Sequence, residues 1–178
     1  MTLNIRLDVV SDSISSCYME IGDTSLVCSI YLQEKLEKEP NFELTYNTFE
    51  GKDIPFSNLL AQSINNLLVD RLETTLVKVN FFVFKNDENT FSACVNAFSI
   101  CILRSGLRIN DVLSACMVVV PGPAQINCVY RNGGRCFSQL FVAGLVENLG
   151  KFIPFCVEEC KKKCEEIKEV IKNELKSI

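Results

Sequence analysis

The segment from residue 74 to residue 106 constrains the fold more than any other part of this chain. It reads TTLVKVNFFVFK, then the polar turn NDENT, and then FSACVNAFSICILRSG. The first part is rich in Val and Phe, which is typical of a central strand, and the last part carries apolar residues at helical spacing. The helix is predicted to end at Gly106, because glycine adopts the left-handed conformation that closes a helix. The sequence therefore predicts a buried strand that leads into a buried helix.

The other segments alternate in an order typical of a mixed α+β protein. Four strands are predicted before the first helix, and two of them form a hairpin that turns at Gly22-Asp23. The first helix is expected to follow Ser57 as its N-cap. After the central strand and its helix, three more strands lead into a long C-terminal helix that begins at Pro154. The predicted order is ββββαβαβββα, in a single domain over residues 1–178.

Composition and charge argue against several classes of protein, including free-standing nucleic-acid binders and membrane-spanning proteins. The chain has 178 residues, is 48% hydrophobic and carries a formal charge of −4, so its overall balance does not attract a polyanion. An apolar run of about 18 residues, as a membrane span requires, is missing, and the N-terminus lacks the apolar core of a signal peptide. We expect a soluble, intracellular protein in which any contact with RNA is local or shared with partners.

Ten cysteines raise the question of metal or redox chemistry. The chain has no histidine and no CxxC pair, which removes the usual zinc spacings and the commonest general base. Cys156, Cys160 and Cys164 fall on one face of the last helix, a spacing that can bring thiolates near a metal. Three ligands stacked along one helix do not surround a tetrahedral ion without a fourth from elsewhere. A packed apolar stripe is the favoured interpretation, and a cysteine-based metal or redox protein is an alternative.

The middle of the chain resembles the RNase PH family. The stretches GDTSLVCSIY and NDENTFSACVNAFSICILRSGLRINDVLSACMVVV carry the resemblance, which covers roughly residues 15–120. Asn96-Ala97, Ser105-Gly106-Leu107 and Asp111 occupy the places of the family's signature residues. The resemblance implies an α+β, RNase PH-like fold, also described as ribosomal protein S5 domain 2-like, in which mixed sheets pack against helices.

The same resemblance points to a degenerate phosphate site. Active members bind phosphate in the turn that enters this helix, where the helix dipole and a side chain act together on the anion. In the turn DENTF, Glu88 and Asn89 stand where the family has glycines, and Phe91 stands where it has an arginine. Two acids and an aromatic ring disfavour a phosphate, although Thr90 and Ser92 each offer a hydroxyl.

A second departure concerns the catalytic metal. Active relatives place two aspartates after the strand that matches VLSACMVVV, where they hold a divalent ion. Between Val112 and Val146 this chain contains no Asp or Glu. We therefore expect a protein that is not an enzyme, with no catalytic residues, no metal and no cofactor.

Silent members of the family imply an architectural function. The resemblance suggests a ring subunit of the eukaryotic RNA exosome, in a hetero-hexamer with other RNase PH-like subunits around an RNA channel. Such a subunit supports RNA degradation and processing, including that of rRNA, in the nucleus, nucleolus and cytoplasm. Lys52, Arg104 and Arg108 are the candidate RNA contacts, and the charged insertion at 33–40 has no assigned role. An active phosphate-dependent 3′–5′ exoribonuclease is the other alternative.

Overall fold

The structure is a computed structural model that describes residues 3–35, 40–64, 74–120, 124–131, 137–143 and 149–176. These residues form nine strands and three α-helices, with a short 3-10 helix at Leu149–Lys151. The strands are β1 (Leu3–Leu7), β2 (Ser15–Ile21), β3 (Thr24–Glu34), β4 (Phe42–Thr48), β5 (Gly51–Lys52), β6 (Thr75–Lys85), β7 (Leu113–Val120), β8 (Ala124–Arg131) and β9 (Phe137–Ala143). The helices are α1 (Ile54–Ile64), α2 (Thr90–Arg104) and α3 (Ile153–Lys176).

Six strands form a large sheet in the order β1-β2-β3-β6-β4-β5. All neighbours are antiparallel except β4 and β6, which run parallel. The predicted hairpin is β2 and β3, and Gly22 in its turn has a φ of 61°. The Val- and Phe-rich strand β6 lies between β3 and β4, which confirms its prediction as a central strand.

Helix α2 is enclosed between the large sheet and a small antiparallel sheet of order β7-β8-β9. It packs on β2 and β3 on one side and on β7 on the other. Residues 90–102 are all buried, and Gly106 follows the helix with a φ of 73°, as predicted. The alanines and cysteines of α2 are small enough for sheets to approach on both sides.

Polar side chains of α2 form hydrogen bonds with backbone groups of β7, at the edge of the small sheet. The Asn96 side-chain amide donates to the carbonyl oxygen of Ala115 at 2.9 Å, and the Ala115 N–H donates to Asn96 Oδ1 at 2.8 Å. Ser99 Oγ donates to the carbonyl oxygen of Leu113 at 2.6 Å. Because buried backbone groups need partners, these bonds fix the position of β7 against the helix.

Helix α3 covers the small sheet by packing on β7 and β8. Five Lys–Glu pairs at i,i+3 occupy its outer surface, as expected for a solvated face.

Within the described ranges, no helix is both long and apolar enough to cross a membrane. The helical spacing of apolar residues in the sequence of α3 predicts that Phe155 faces inward, but 54% of its surface is exposed, so that prediction is wrong. The buried face contains Cys156, and adjacent residues on a helix point about 100° apart.

The start of α1 also differs from the prediction. The helix begins at Ile54, before Ser57, and the Phe56 N–H donates to the Asp53 carboxylate at 2.9 Å. Asp53 is therefore the capping residue, and the prediction of Ser57 was wrong. Ser57 Oγ instead donates to the Asp53 carbonyl oxygen at 2.7 Å and accepts from the Tyr46 N–H at 3.1 Å. These bonds connect α1 to β4.

Three sequence predictions fall partly outside the described residues. The apolar stripe of the first helix was expected to reach Leu72, and the structure describes its part up to Ile64. Most of the charged insertion, residues 36–39, and the NGG turn at 132–134 also lie outside. Elsewhere the predicted order of strands and helices is confirmed, with the two-residue strand β5 and the 3-10 helix as additions.

Candidate functional site

The turn into α2 is the place where the sequence pointed to a former phosphate site. We call residues 86–91 the α2 entrance. Its Asp87 carboxylate accepts hydrogen bonds from the Asn89 N–H at 2.7 Å and from the Asp23 N–H at 3.3 Å. The Thr24 hydroxyl also donates to this carboxylate. A carboxylate of the chain itself therefore binds the N–H of the α2 N-cap residue and two donors of the β2–β3 turn.

The pKa of Asp87 reflects this environment. Partial burial acts to raise the pKa, but hydrogen bonds from Thr24, Asn89 and Asp23 outweigh it and hold the pKa below its ordinary value. Asp87 is therefore ionised at neutral pH. A phosphate brought to the same donors would meet a negative charge that is already in place.

The hydroxyl groups of Thr90 and Ser92, at the start of α2, both point into the protein. Thr90 is buried, and its Oγ1 lies 2.6 Å from Asn86 Oδ1 and accepts from the Asp87 N–H at 3.0 Å. Ser92 is buried as well and donates to the Asn89 carbonyl oxygen at 2.9 Å. These hydroxyls stabilise the turn and the first turn of the helix.

Phe91, the residue at the arginine position of the family, belongs to the core. Only 6% of its surface is exposed. Its ring meets that of Phe56 in α1 with centroids 6.3 Å apart, and Phe56 packs on Tyr46 in β4 at 4.4 Å. Burial raises the pKa of Tyr46, which shows how apolar this cluster is. An aromatic contact between three elements thus occupies the place of a cation.

A cleft of about 430 Å³ lies beside the α2 entrance. Its charged lining consists of Glu50, Lys52 and Asp53, so the single lysine is outnumbered by acids. The β4–β5 turn, the start of α1 and Asn86 form its walls. A negative excess of this kind does not favour a phosphate or an RNA backbone.

The three basic candidates for RNA contact are divided between the two ends of α2. Lys52 lines the cleft at the N-terminal end of the helix. Arg104 is at the other end, about 20 Å away for a helix of this length, and its guanidinium binds the Asp8 carboxylate at 2.6 Å. Arg108 is exposed in the following loop. The structure does not bring the three together, and their contact with RNA remains a prediction.

The cysteine stripe of α3 is only partly what the sequence indicated. Cys156, Cys160 and Cys164 are all buried on the inner face. However, Cys160 groups with Cys116 and Cys128 of the small sheet, whose ligand atoms all lie within 4.8 Å of one another. In the described part of the chain, this is the one group of three or more potential metal ligands.

Sequence reasoning missed two features of these sites. Asp87 was considered only as a repelling charge, although an aspartate two residues before Asn89 is a signal for a side-chain-capped turn. Cys116 and Cys128 lie in predicted strands, where the sequence alone indicates only small apolar side chains. They are cross-strand partners, a relationship that depends on the register of β7 and β8.

Comparison with known proteins gives two sequence relatives. The putative exosome complex component RRP41 of Caenorhabditis briggsae is 26% identical over 143 residues, which are 68% of this chain and 60% of the relative. The protein of the same name from Caenorhabditis elegans is 24% identical over 133 residues, covering 64% and 55% of the two chains. The chain thus spans about 60% or less of the length of these curated relatives.

Solved structures with the same fold include rice Rrp46 and an archaeal exosome core. The crystal structure of rice (Oryza sativa) Rrp46 matches with a TM-score of 0.85 at 12% identity, over 96% of this chain and 94% of that one. The archaeal exosome core matches with a TM-score of 0.72 at 14% identity, over 94% and 86%. These matches confirm the predicted RNase PH-like fold.

Residues 2–108 match the RNase PH model, described as the 3′ exoribonuclease family, domain 1. Because that match covers more than half of the chain, the protein belongs to the RNase PH family of 3′ exoribonucleases.

Proposed function

We propose that this protein is a catalytically inactive RNase PH-like subunit of an exosome ring. In this role it forms part of the wall of an RNA channel, beside other RNase PH-like subunits in a hetero-hexamer. A separate nuclease carries out 3′–5′ degradation and processing of RNA, including rRNA, in the nucleus, nucleolus and cytoplasm. The family match, the names of the sequence relatives and the fold shared with rice Rrp46 support the proposal.

The observation that carries the inactive assignment is the α2 entrance. Phosphorolysis requires an anion placed against hydrogen-bond donors, so that charge developing in the transition state is neutralised. Here the Asp87 carboxylate binds the Asn89 N–H of this turn and the Asp23 N–H, and a buried aromatic ring, Phe91, stands where the resemblance places an arginine. A bound phosphate would require Asp87 to be displaced or protonated.

The missing acidic pair supports the same proposal independently. The chain from residue 112 to residue 146 contains no carboxylate side chain, and this stretch includes β7, β8 and β9. A divalent ion that assists phosphate attack needs oxygen ligands of this kind. Two separate components of the reaction are therefore lacking.

An exposed aromatic patch supports assembly. On the face of the large sheet opposite α2, the rings of Phe49, Phe82 and Phe84 contact one another, with centroids 5.2 to 6.2 Å apart. Phe49 is 75% exposed. Clustered aromatic side chains on a surface are typical of protein interfaces, and we propose that a neighbouring RNase PH-like subunit covers this patch.

The proposal is tested by purifying the complex that contains the tagged chain from native extract. We expect several other RNase PH-like proteins to be recovered with it, and recovery of none contradicts the ring assignment. In parallel, the purified chain is incubated with RNA, phosphate and Mg²⁺. We expect no phosphate-dependent release of nucleoside diphosphates, whereas an active family member assayed beside it releases them. Release by this chain would instead support the active exoribonuclease.

A further inference from the structure

Four cysteines from three elements converge in the C-terminal layer. Cys116 in β7 and Cys128 in β8 are directly opposite each other in the antiparallel pair. Cys160 of α3 lies above them, with its Sγ 3.2 Å from that of Cys116. Cys156, one helical turn earlier, is buried in the same cluster, and its carbonyl oxygen lies 4.0 Å from Cys116 Sγ. The sheet thus supplies two ligands that a stripe on one helix lacks.

The buried residues between α3 and the small sheet indicate a role for the cysteines beyond ordinary core packing. Among the residues that the structure describes, the small sheet and α3 share a hydrophobic cluster with seven buried members, and four of these seven are the cysteines. A thiol packs as a small hydrophobe, so it buries less apolar area than a Leu or Phe in the same place. A bond between α3 and the small sheet would therefore add substantially to the stability of their contact.

We propose that Cys116, Cys128, Cys156 and Cys160 bind one Zn²⁺ ion that joins α3 to the small sheet. Zinc in structural sites is held tetrahedrally by four such ligands at about 2.3 Å, which places the sulfur atoms about 3.8 Å apart. The three sulfurs of Cys116, Cys128 and Cys160 already lie within 4.8 Å of one another, so side-chain shifts of about 1 Å bring them to these distances. Cys156 lies outside that group, and a rotation of its buried side chain is needed to add the fourth sulfur.

The chemistry of binding is proton release without oxidation. Each of the four thiols loses its proton to solvent as its sulfur binds the ion, so no oxidant is needed.

Another group of cysteines in the main core provides a comparison. Cys17 and Cys28 are cross-strand partners in β2 and β3, and Cys101 of α2 donates to the Cys28 carbonyl oxygen at 3.5 Å. Burial raises the pKa of Cys28. In the residues that the structure describes, this group does not bring three ligand atoms within 4.8 Å, whereas the group around Cys116 does. The two groups therefore differ in geometry, and the first is a packing cluster.

The test measures zinc in the full chain, purified without chelator in the presence of a phosphine reductant. Elemental analysis is expected to give about one Zn²⁺ per chain. Cys116→Ser and Cys160→Ser should each weaken zinc binding at least about tenfold. Loss of a residue that only hydrogen-bonds to a zinc ligand already weakens metal binding by about that factor. Cys164→Ser is the matched control, since it lies on the same buried helix face outside the group, and it should keep its zinc.

A measurement on the unchanged chain guards against serine variants that fail to fold. Exchange of the metal for Co²⁺ should produce a sulfur-to-cobalt charge-transfer band in the near ultraviolet and the visible bands of a tetrahedral site. Metal-free chain that is folded and fully reduced would overturn the proposal. A Cys116–Cys160 disulfide found by peptide mass spectrometry, or zinc retained by both Cys116→Ser and Cys160→Ser, would overturn it too. None of these outcomes bears on membership of an exosome ring, which rests on different residues.

Discussion

The ring of Phe91 meets the ring of Phe56 edge to face, with an interplanar angle of 84° and 6.3 Å between the centroids. This contact joins the first turn of α2 to α1 at the position where the RNase PH resemblance expects an arginine. Edge-to-face pairs contribute roughly 0.5–1.5 kcal/mol beyond the area that they bury. The residue at this position is thus part of the core.

Replacing Phe91 with alanine is expected to destabilise the protein by about 3 kcal/mol or more, because a buried aromatic side chain leaves a cavity. The free energy of unfolding, measured by urea titration, reports the loss. Phe155→Ala is the control, since that ring is 54% exposed, and it should stay within about 0.5 kcal/mol of the unchanged chain. Equal effects of the two substitutions would show that Phe91 does not pack as described.

Asp87 should make stability depend on pH in the acidic range. Its pKa in the folded state is lowered, so its stabilising contribution is present above the pKa of the unfolded chain and is lost as pH falls through the folded-state value. Asp87→Asn should lower the melting temperature at pH 7 and reduce the further loss on acidification to pH 3. Thermal melts at the two pH values measure both effects.

The exposed Asp12 provides a control for this experiment. Asp12→Asn should leave the pH dependence of the melting temperature close to that of the unchanged chain. If Asp87→Asn were as sensitive to acid as the unchanged chain, the hydrogen bonds at the α2 entrance would not be the cause of the sensitivity.

Asn96 should hold β7 in place through its paired hydrogen bonds with Ala115. Asn96→Ala leaves a buried N–H and a buried carbonyl oxygen without their partner, at a cost of about 1–3 kcal/mol for each group. Amide hydrogen exchange at Ala115 should become faster than in the unchanged chain. Asn4→Ala, which removes an exposed bond to Glu20, should leave that exchange rate unaltered. Unchanged protection of Ala115 in Asn96→Ala would contradict the assignment.

The aromatic patch of the large sheet should be required for assembly and not for folding. Phe49→Asp places a charge on a residue that is 75% exposed, so the melting temperature of the isolated chain should hardly change. The same substitution should sharply reduce the RNase PH-like subunits recovered with the tagged chain. Phe155→Asp, an exposed aromatic position on α3, should leave that recovery intact. Equal recovery with Phe49→Asp would place the interface elsewhere.

Local patterns in the sequence predicted most of the fold. The Val- and Phe-rich run of β6, the helical spacing in α2 and the glycines at 22 and 106 are signals that depend only on neighbouring residues. The parallel pairing of β4 with β6 and the division into two sheets depend on contacts between distant segments. Periodicity does not contain that information.

The same distinction applies to the sites. Phe91 was identified because a family resemblance assigns its position, whereas the role of Asp87 requires the β2–β3 turn to lie beside the α2 entrance. The cysteine group required the register of β7 against β8 together with the rotation of α3. Residues brought together by packing are visible only once the fold is known.

The most direct test of the account is an experimental structure of crystals soaked in phosphate and Mg²⁺. We predict that the α2 entrance contains no phosphate, that the Asp87 carboxylate keeps its bonds to the Asn89 and Asp23 amides, and that Phe91 stays against Phe56. A phosphate ion seated at the N-terminus of α2 beside Phe91, with Mg²⁺ next to it, would contradict the central claim that this site has been lost.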